Sequence, residues 1–327
     1  MWSYVRKCKD AQAITWAIIM LPALLAACSG VSTPRIDERE FYVRAGESCR
    51  LFVQEAGHGD GTLIALHGGF GAEYSYLLDA FKNIRGHRIV FYDQRGSLRS
   101  PCPINTISID QHVEDLETLR RSLDLSRLRL VAHSMGTLIA YHYLEKYPQH
   151  VGSLVLIGPM PYRSEVGLSF LDNLNPEEIF DDPLVVKELT KVIGQIPQGP
   201  DSDKAHSRRQ QIEFAAANLY HVDRWQELVG GMAFYNASAG RAAVISVRSQ
   251  WDFTRHLQVA SARGTVHFIL GDHDYLDLEA VWHRKAVSDL PDATITVITK
   301  AGHTPWIDQP QIFAKALNKA LGATNPR

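Results

Sequence analysis

The chain has 327 residues, 45% of them hydrophobic and 21% charged, enough apolar material for one large core or two modest ones and too much for a disordered polymer. Its formal charge is −2 and its basic residues are scattered rather than striped. With no zinc-spaced Cys/His set and no RNA-binding aromatic motif, nucleic acid is excluded as a partner.

The first thirty residues differ in kind from the rest. Arg6, Lys7 and Lys9 give a positive start, and Ala11 to Ala27 is almost wholly apolar and ends in small residues, the build of a secretory signal. The stretch is short for a membrane span, which takes about 20 apolar residues. Leu25-Ala26-Ala27-Cys28 resembles the bacterial lipobox, which implies cleavage of residues 1–27 and lipid on the Cys28 sulfur. The alternative is a plain signal, or an uncleaved anchor, beside a chance cysteine. More than one acyl chain gives stable anchoring. The expectation is therefore an exported protein, lipid-anchored to a bacterial membrane at its periplasmic face or at the cell surface, with Ser29 permitting the outer membrane. Residues 28–37 read as a tether. Cys8 falls in the signal and Cys28 takes the lipid, so Cys49 and Cys102 remain as an even pair in an oxidising compartment, either bonded or two separate buried thiols.

Beyond the tether, Phe41 to Val43 and Cys49 to Gln54 predict a hairpin around Ala45-Gly46-Glu47, while Thr62 to Leu66 and Arg88 to Tyr92 are compact apolar strands. Asp110 to Leu123 has helical spacing, Leu128 to Ala132 predicts a strand, Met135 to Tyr147 a helix stopped by Pro148, and Val151 to Ile157 another strand. The alternation implies βαβ units and a parallel sheet. It breaks after Gly158-Pro159. Helical patterns at 182–193, 207–219 and 223–230 follow, and the alternation resumes with Thr265 to Leu270, Leu276 to Leu290, Ala293 to Ile298 and a last helix at 311–321. This predicts an α/β core, residues 38–160 and 256–327, interrupted by a helical cap at 161–255.

The chemistry concentrates where strands end. Ala132-His133-Ser134-Met135-Gly136 joins a strand directly to a helix, with small residues two before and two after the serine, as a strained nucleophile turn requires. A helix N-cap is the other use of a serine there. A serine hydroxyl needs a base to take its proton and an acid to orient the base, each after a later strand in the order Ser, Asp, His. Gly271-Asp272-His273-Asp274 supplies a G-x-x-D turn that selects Asp274 over Asp272, and Gly302-His303-Thr304-Pro305 a G-H-x-P loop, with Asp308 and Pro310 beyond it. His273 between two aspartates lacks further metal-ligand spacing, so no metal is expected. An oxyanion would be held by the backbone N–H of Met135 and a second donor in His67-Gly68-Gly69-Phe70-Gly71, Gly69 first and Phe70 second. That glycine cluster has neither dinucleotide nor phosphate-loop spacing, so no nucleotide cofactor is expected.

His67-Gly68-Gly69-Phe70-Gly71, with Tyr92-Asp93-Gln94-Arg95-Gly96-Ser97-Leu98-Arg99-Ser100, resembles the HGGPG and DQRGxGxS patterns of prolyl iminopeptidases and related hydrolases, over Phe41 to Leu321 except the insertion. The resemblance implies the α/β-hydrolase fold, a mostly parallel sheet flanked by helices with an inserted helical cap, and no cofactor. It implies structural roles for Asp93 and Arg95. In that fold the second strand lies antiparallel beside the fourth, which brings Cys49 near Cys102 and supports a disulfide. Departures bear on substrate: Phe70 stands for proline, Leu98 for glycine, and the serine turn is closer to esterase and lipase forms. Aminopeptidase action needs carboxylates to pair with a substrate ammonium, with Glu213, Asp223 and Glu227 as candidates, although such acids on amphipathic helices are commonly just solvated. Trp225, Phe234, Tyr235 and Trp251 are candidates to line an apolar pocket or to pack the cap on the sheet.

The expected activity is that of a serine hydrolase, acyl transfer through Ser134, His303 and Asp274 on small-molecule or short-peptide substrates, aminopeptidase-like amides first and carboxylesters as the alternative. A non-catalytic ligand-binding lipoprotein is the competing class. An aspartate in place of Ser134 would have indicated a dehalogenase or epoxide hydrolase, and there is none.

Overall fold

Alternate residues of the central strands enter two different hydrophobic clusters. In β3 (Gly61–Leu66), Ile64 and Leu66 face one cluster while Leu63 and Ala65 face the other. β5 (Leu128–His133), β6 (Val151–Ile157) and β7 (Val266–Gly271) behave likewise: Leu154 and Leu156 point one way, Val155 and Ile157 the other. A strand buried on both faces is apolar on both, which is why the inner parts of these segments, such as Leu63 to Leu66 and Leu154 to Ile157, read as continuous runs rather than as alternation.

These strands belong to one eight-stranded sheet in a computed structural model that describes residues 38–164 and 218–322. The order is β1-β2-β4-β3-β5-β6-β7-β8, with β1 (Arg39–Arg44), β2 (Arg50–Ala56), β4 (His87–Tyr92) and β8 (Thr294–Ile298) completing it. β1 and β2 form the expected hairpin, β2 runs antiparallel to β4, and all remaining pairs are parallel. The connections leaving β3 and β5 turn to opposite sides, so a crevice opens at the carboxyl ends of these two strands, the place where open α/β sheets bind ligands.

Helices α1 (Leu78–Phe81), α2 (Ile109–Ser122), α3 (Gly136–Lys146), α4 (Ala237–Ser246), α5 (Thr254–Ser261), α6 (Val281–Val287), α7 (Pro305–Asp308) and α8 (Pro310–Ala320) lie wholly within the described residues. Ser108 caps α2 by accepting from the Gln111 N–H at 3.2 Å, and Asn236 caps α4 by accepting from Ala239 at 3.1 Å. Pro305 and Pro310 each open a helix, where the missing N–H costs nothing.

Some expectations change. The helix expected at 223–230 is instead a 3₁₀ turn, Val222–Glu227, with Gly230 and Gly231 at positive φ beyond it. The helix expected at 276–290 is a 3₁₀ turn, Leu278–Ala280, followed by α6, because Glu279 and Ala280 both take left-handed φ. α5 was not anticipated. Residues 1–27, the tether and Cys28, the helix at 182–193, Glu213, and all but the end of 207–219 lie outside the described residues. Trp225 and Trp251 are buried core residues, the packing alternative for both, while Phe234 is 60% exposed.

Candidate active site

Ser134 sits at the join of β5 and α3 with φ +52, a left-handed conformation that a residue with a Cβ rarely adopts. Backbone bonds hold it there: its N–H donates to Ile157 O at 3.0 Å, and its carbonyl accepts from the Thr137 N–H at 2.9 Å and the Thr137 hydroxyl at 2.6 Å. The small residue two positions on is explained by packing. A Cβ on Gly136 would lie 2.6 Å from His67 O and 2.7 Å from Leu66 O, so β3 passes too close for any side chain. Ala132 is fully buried in the core with its methyl accommodated, which is why alanine serves where the motif has glycine.

The G-x-x-D turn leaves β7 and the G-H-x-P loop leaves β8. Both Asp274 and His303 are buried, and His303 Nδ1 is 2.9 Å from each Asp274 carboxylate oxygen. Leu276 N–H donates to Asp274 Oδ1 at 2.9 Å. Asp272 instead pairs with the half-exposed ring of His273 at 2.6 Å, so geometry separates the two aspartates as the motif does. Among the described residues no group of His, Cys, Asp and Glu has metal-binding arrangement.

The histidine loop is fixed by Asp308, whose carboxylate accepts from Gly302 N–H at 2.8 Å, Tyr220 N–H at 3.0 Å and His221 N–H at 2.9 Å. Asn218 O accepts from Thr304 N–H at 3.1 Å. Gly158, at the end of β6, lies beneath the pair: a Cβ there would be 2.8 Å from both Asp274 Oδ2 and His303 Nδ1. Since Ser134 is bonded to Ile157 and Gly158 touches the His303–Asp274 pair, the three segments converge on one spot. No hydrogen bond joins the Ser134 hydroxyl to His303 among the described residues, and such bonds commonly tighten only when substrate is bound.

Across the crevice, Gly69 has φ +64 and its carbonyl accepts from Ala72 N–H at 2.8 Å, while a Cβ on Gly68 would meet the Ser134 Cβ at 2.6 Å. The backbone bonds of these turns use the N–H of neither Gly69, Phe70 nor Met135. Phe70 turns its ring into the core against His112.

The two sequence patterns interlock. Gln94 N–H donates to His67 Nε2 at 3.1 Å and Gln94 Nε2 to His67 O at 2.7 Å, which leaves His67 Nδ1–H to donate to Gly68 O at 2.9 Å. Burial pushes the His67 pKa down, which suits an imidazole whose Nε2 accepts. Asp93 is buried under the Arg99 guanidinium, with Nε to Oδ2 at 2.8 Å, and Arg95 Nε donates to Asp115 Oδ2 at 2.7 Å. Asp93 and Arg95 are thus each paired with a different residue, Arg99 and Asp115.

Glu73, a residue the motifs did not single out, is buried beside this loop. It accepts from Ser75 N–H at 2.7 Å, Gly231 N–H at 2.5 Å and Arg99 Nη2 at 3.0 Å. Of the suggested carboxylates, Glu227 is exposed and ion-paired to Arg224 at 2.6 Å, and Asp223 is exposed. His133, Tyr76, Tyr275 and Gly158 also border the site and were missed. His133 was visible only as the variable position of the serine motif, and Gly158 only as the end of the alternation.

A nucleophile-type turn after the fifth strand, an acid after the seventh and a histidine after the eighth, on a sheet of this order, define the hydrolase class of α/β proteins. The chain belongs to the alpha/beta hydrolase fold family, whose model matches residues 61–310. It is 24% identical over 283 residues, 85% of this chain and 97% of the other, to a putative 2-succinyl-6-hydroxy-2,4-cyclohexadiene-1-carboxylate synthase of Bacillus subtilis (strain 168). It is 33% identical over 105 residues to a proline iminopeptidase of Heyndrickxia coagulans, spanning 31% of this chain and 36% of that enzyme. The structure of a proline iminopeptidase-related protein from Thermus thermophilus matches with TM-score 0.61 at 25% identity, over 88% of this chain and 98% of that one. An esterase from Thermogutta terrifontis matches with TM-score 0.60 at 16% identity, over 87% and 98%, and shares the fold.

Proposed function

We propose that the protein is a serine hydrolase that works by acyl transfer, with Ser134 as nucleophile, His303 as base and Asp274 as the acid that holds the base. The left-handed backbone of Ser134 carries this reading. Strain of this kind persists only where surrounding structure enforces it, and it serves to lift a side chain clear of the sheet end.

In the proposed cycle Ser134 Oγ attacks the carbonyl carbon of substrate while His303 Nε2 takes its proton. Asp274, bonded to Nδ1–H, keeps the proton-accepting nitrogen turned toward the serine and stabilises the imidazolium. The negative oxygen of the tetrahedral intermediate is held by the N–H of Met135 and of Gly69, with Phe70 the second choice for the latter. The imidazolium then gives its proton to the departing amine or alcohol, and water repeats the sequence to release the acid. Apart from the substrate and one water, every step uses groups of this chain, so the proposed chemistry calls for no cofactor.

The substrate class we favour is small peptides or amides, supported by the HGG and DQRG patterns and by the partial match to a proline iminopeptidase. A second reading, carboxylester hydrolysis, has its own support. Glu73 shares Arg99 with Asp93 and accepts from the Ser75 and Gly231 N–H groups, while Asp223 and Glu227 are exposed, so none of these three is a buried, unpartnered carboxylate waiting for a substrate ammonium.

We further propose that the chain is exported and lipid-anchored through Cys28, on the strength of the Leu25-Ala26-Ala27-Cys28 sequence behind an apolar stretch. Radiolabelled palmitate should enter the wild-type protein and not Cys28→Ser.

The deciding experiment is fluorophosphonate labelling with mass-spectrometric mapping, followed by a panel of amino-acyl anilides and p-nitrophenyl esters. Label on Ser134, absent from Ser134→Ala, is the expected result. A folded protein that takes no label would bring forward the competing class, a lipoprotein that uses the cleft only to bind.

A further inference from the structure

Three segments that must keep register for acyl transfer are joined by one line of buried hydrogen bonds. Gly68 N–H donates to the Tyr76 hydroxyl at 2.6 Å, that hydroxyl lies 2.7 Å from His133 Nδ1, and His133 Nε2 lies 3.0 Å from the backbone carbonyl of His303. Gly68 begins the turn assigned to the oxyanion, His133 immediately precedes Ser134, and His303 is the assigned base. Tyr76, His133 and His303 are all buried.

Proton placement along this line follows from its ends. A carbonyl only accepts, so His133 must carry hydrogen on Nε2. Gly68 N–H only donates, so the Tyr76 oxygen accepts from it and has its own proton left to give to Nδ1. Burial first, and the neighbouring His303 second, hold the His133 pKa well below its ordinary value, which keeps Nδ1 an acceptor. The rings enclose one another as well: His133 has its centroid 4.6 Å from that of His303, 5.0 Å from Trp306 and 5.5 Å from Tyr76. A ring turned over would place Nδ1 toward the His303 carbonyl and Nε2 toward Tyr76, giving up the two hydrogen bonds that fix its present direction.

We infer that Tyr76 and His133 are positioning residues: together they tie the oxyanion turn and the base loop to the strand end that carries the nucleophile. The inference rests on the Ser134, His303 and Asp274 reading. It distinguishes two halves of the line, because Tyr76 serves the oxyanion side and the His133 Nε2–H serves the base side.

Two substitutions at His133 separate those halves. His133→Gln keeps an N–H near the Nε2 position for the His303 carbonyl but gives up the Tyr76 partner. His133→Asn keeps an acceptor near the Nδ1 position for Tyr76 but releases the His303 loop. Hydrolysis of p-nitrophenyl butyrate is measured across pH for Tyr76→Phe, His133→Gln, their double variant and His133→Asn, each normalised to sites titrated with a fluorophosphonate.

Tyr76→Phe and His133→Gln are each expected to lower kcat about tenfold with KM within about twofold, the loss of one well-aimed donor. The double variant should be no worse than the poorer single, since both break the same bond. His133→Asn should move the pH midpoint of kcat/KM that reports the base, while Tyr76→Phe leaves that midpoint in place. Multiplying losses in the double variant, or wild-type kcat in folded Tyr76→Phe, would overturn the inference, as would an unmoved midpoint in His133→Asn. If Tyr76→Phe does not fold, the contrast between the two His133 variants decides. Ser134→Ala separates this inference from the reading beneath it: turnover surviving in Ser134→Ala sinks the triad, whereas a dead Ser134→Ala beside an indifferent Tyr76→Phe sinks the positioning line alone.

Discussion

His303 Nδ1 is equidistant from the two carboxylate oxygens of Asp274, 2.9 Å from each, in a pocket where both residues are buried. A proton on Nδ1 is therefore shared by a bifurcated acceptor, and the ring is held with Nε2 as its only basic nitrogen. An amide in place of the carboxylate can present its NH2 to Nδ1 and favour the wrong tautomer. Asp274→Asn should accordingly lower kcat by about four orders of magnitude while leaving the thermal midpoint within a few degrees. Asp272→Asn, whose carboxylate meets His273 instead, should cost less than about threefold. Steady-state hydrolysis of the best substrate checks both, and equal losses at the two positions would reject the choice of Asp274.

Gly158 supports the same pair from below, and its substitution tests geometry rather than chemistry. Its φ is +47 and an added Cβ would fall 2.8 Å from both Asp274 Oδ2 and His303 Nδ1. In Gly158→Ala the histidine and aspartate must part. We expect a stability loss of about 1 to 2 kcal/mol together with a fall in kcat of about a hundredfold, since misplacement of roughly 1 Å is that costly. Urea titration and kcat on the same preparation measure the two. A variant that loses stability but keeps its turnover would show that the pair does not depend on this contact.

What the sequence disclosed depended on how local each signal was. Strand positions came through because burial on both faces leaves a concentrated apolar run, as at Leu154 to Ile157 of β6, where the expected and observed limits coincide. Ser134, Asp274 and His303 stood out because each lies in a short turn whose neighbours are constrained by backbone approach, such as Gly136 against Leu66. Tyr76 and Glu73 were invisible for the opposite reason: they act through partners 57 and 158 positions away, and no local pattern marks such contacts. The turn at Leu278–Ala280 was missed because two non-glycine residues take left-handed φ there, which no propensity anticipates.

Cys49 and Cys102 have Cα atoms 5.0 Å apart, inside the range a disulfide spans, and are separated by 53 residues. We predict that they are bonded in protein prepared under oxidising conditions. Closing a loop of this length removes enough unfolded-chain entropy to contribute about 4 kcal/mol. Cys49→Ser/Cys102→Ser should lose an amount of that order in chemical denaturation, and reduction of the wild-type protein should have the same effect. Digestion without reductant should yield one peptide pair joined through these residues, and free thiols at both would refute the bond.

His112 gives the fold a defined acid sensitivity. Its ring stacks on Phe70 with centroids 5.3 Å apart, and neither nitrogen finds a hydrogen-bond partner among the described residues. Burial above all, then the charge of Arg95, pushes its pKa down to about 3. The folded value lies below the unfolded value of about 6.5, so as pH falls the unfolded chain takes the proton first. The stability tied to a neutral His112 is thus complete above pH 6.5 and is lost as pH falls from there toward 3, at about 1.4 kcal/mol per pH unit. His112→Leu removes that dependence and leaves the contributions of His67, His133 and His142 in place. Between pH 7.5 and pH 5 the variant should therefore lose about 2 kcal/mol less stability than the wild type, measured by urea unfolding at the two pH values. Equal losses in the two proteins would mean that His112 is already paired or hydrated when folded.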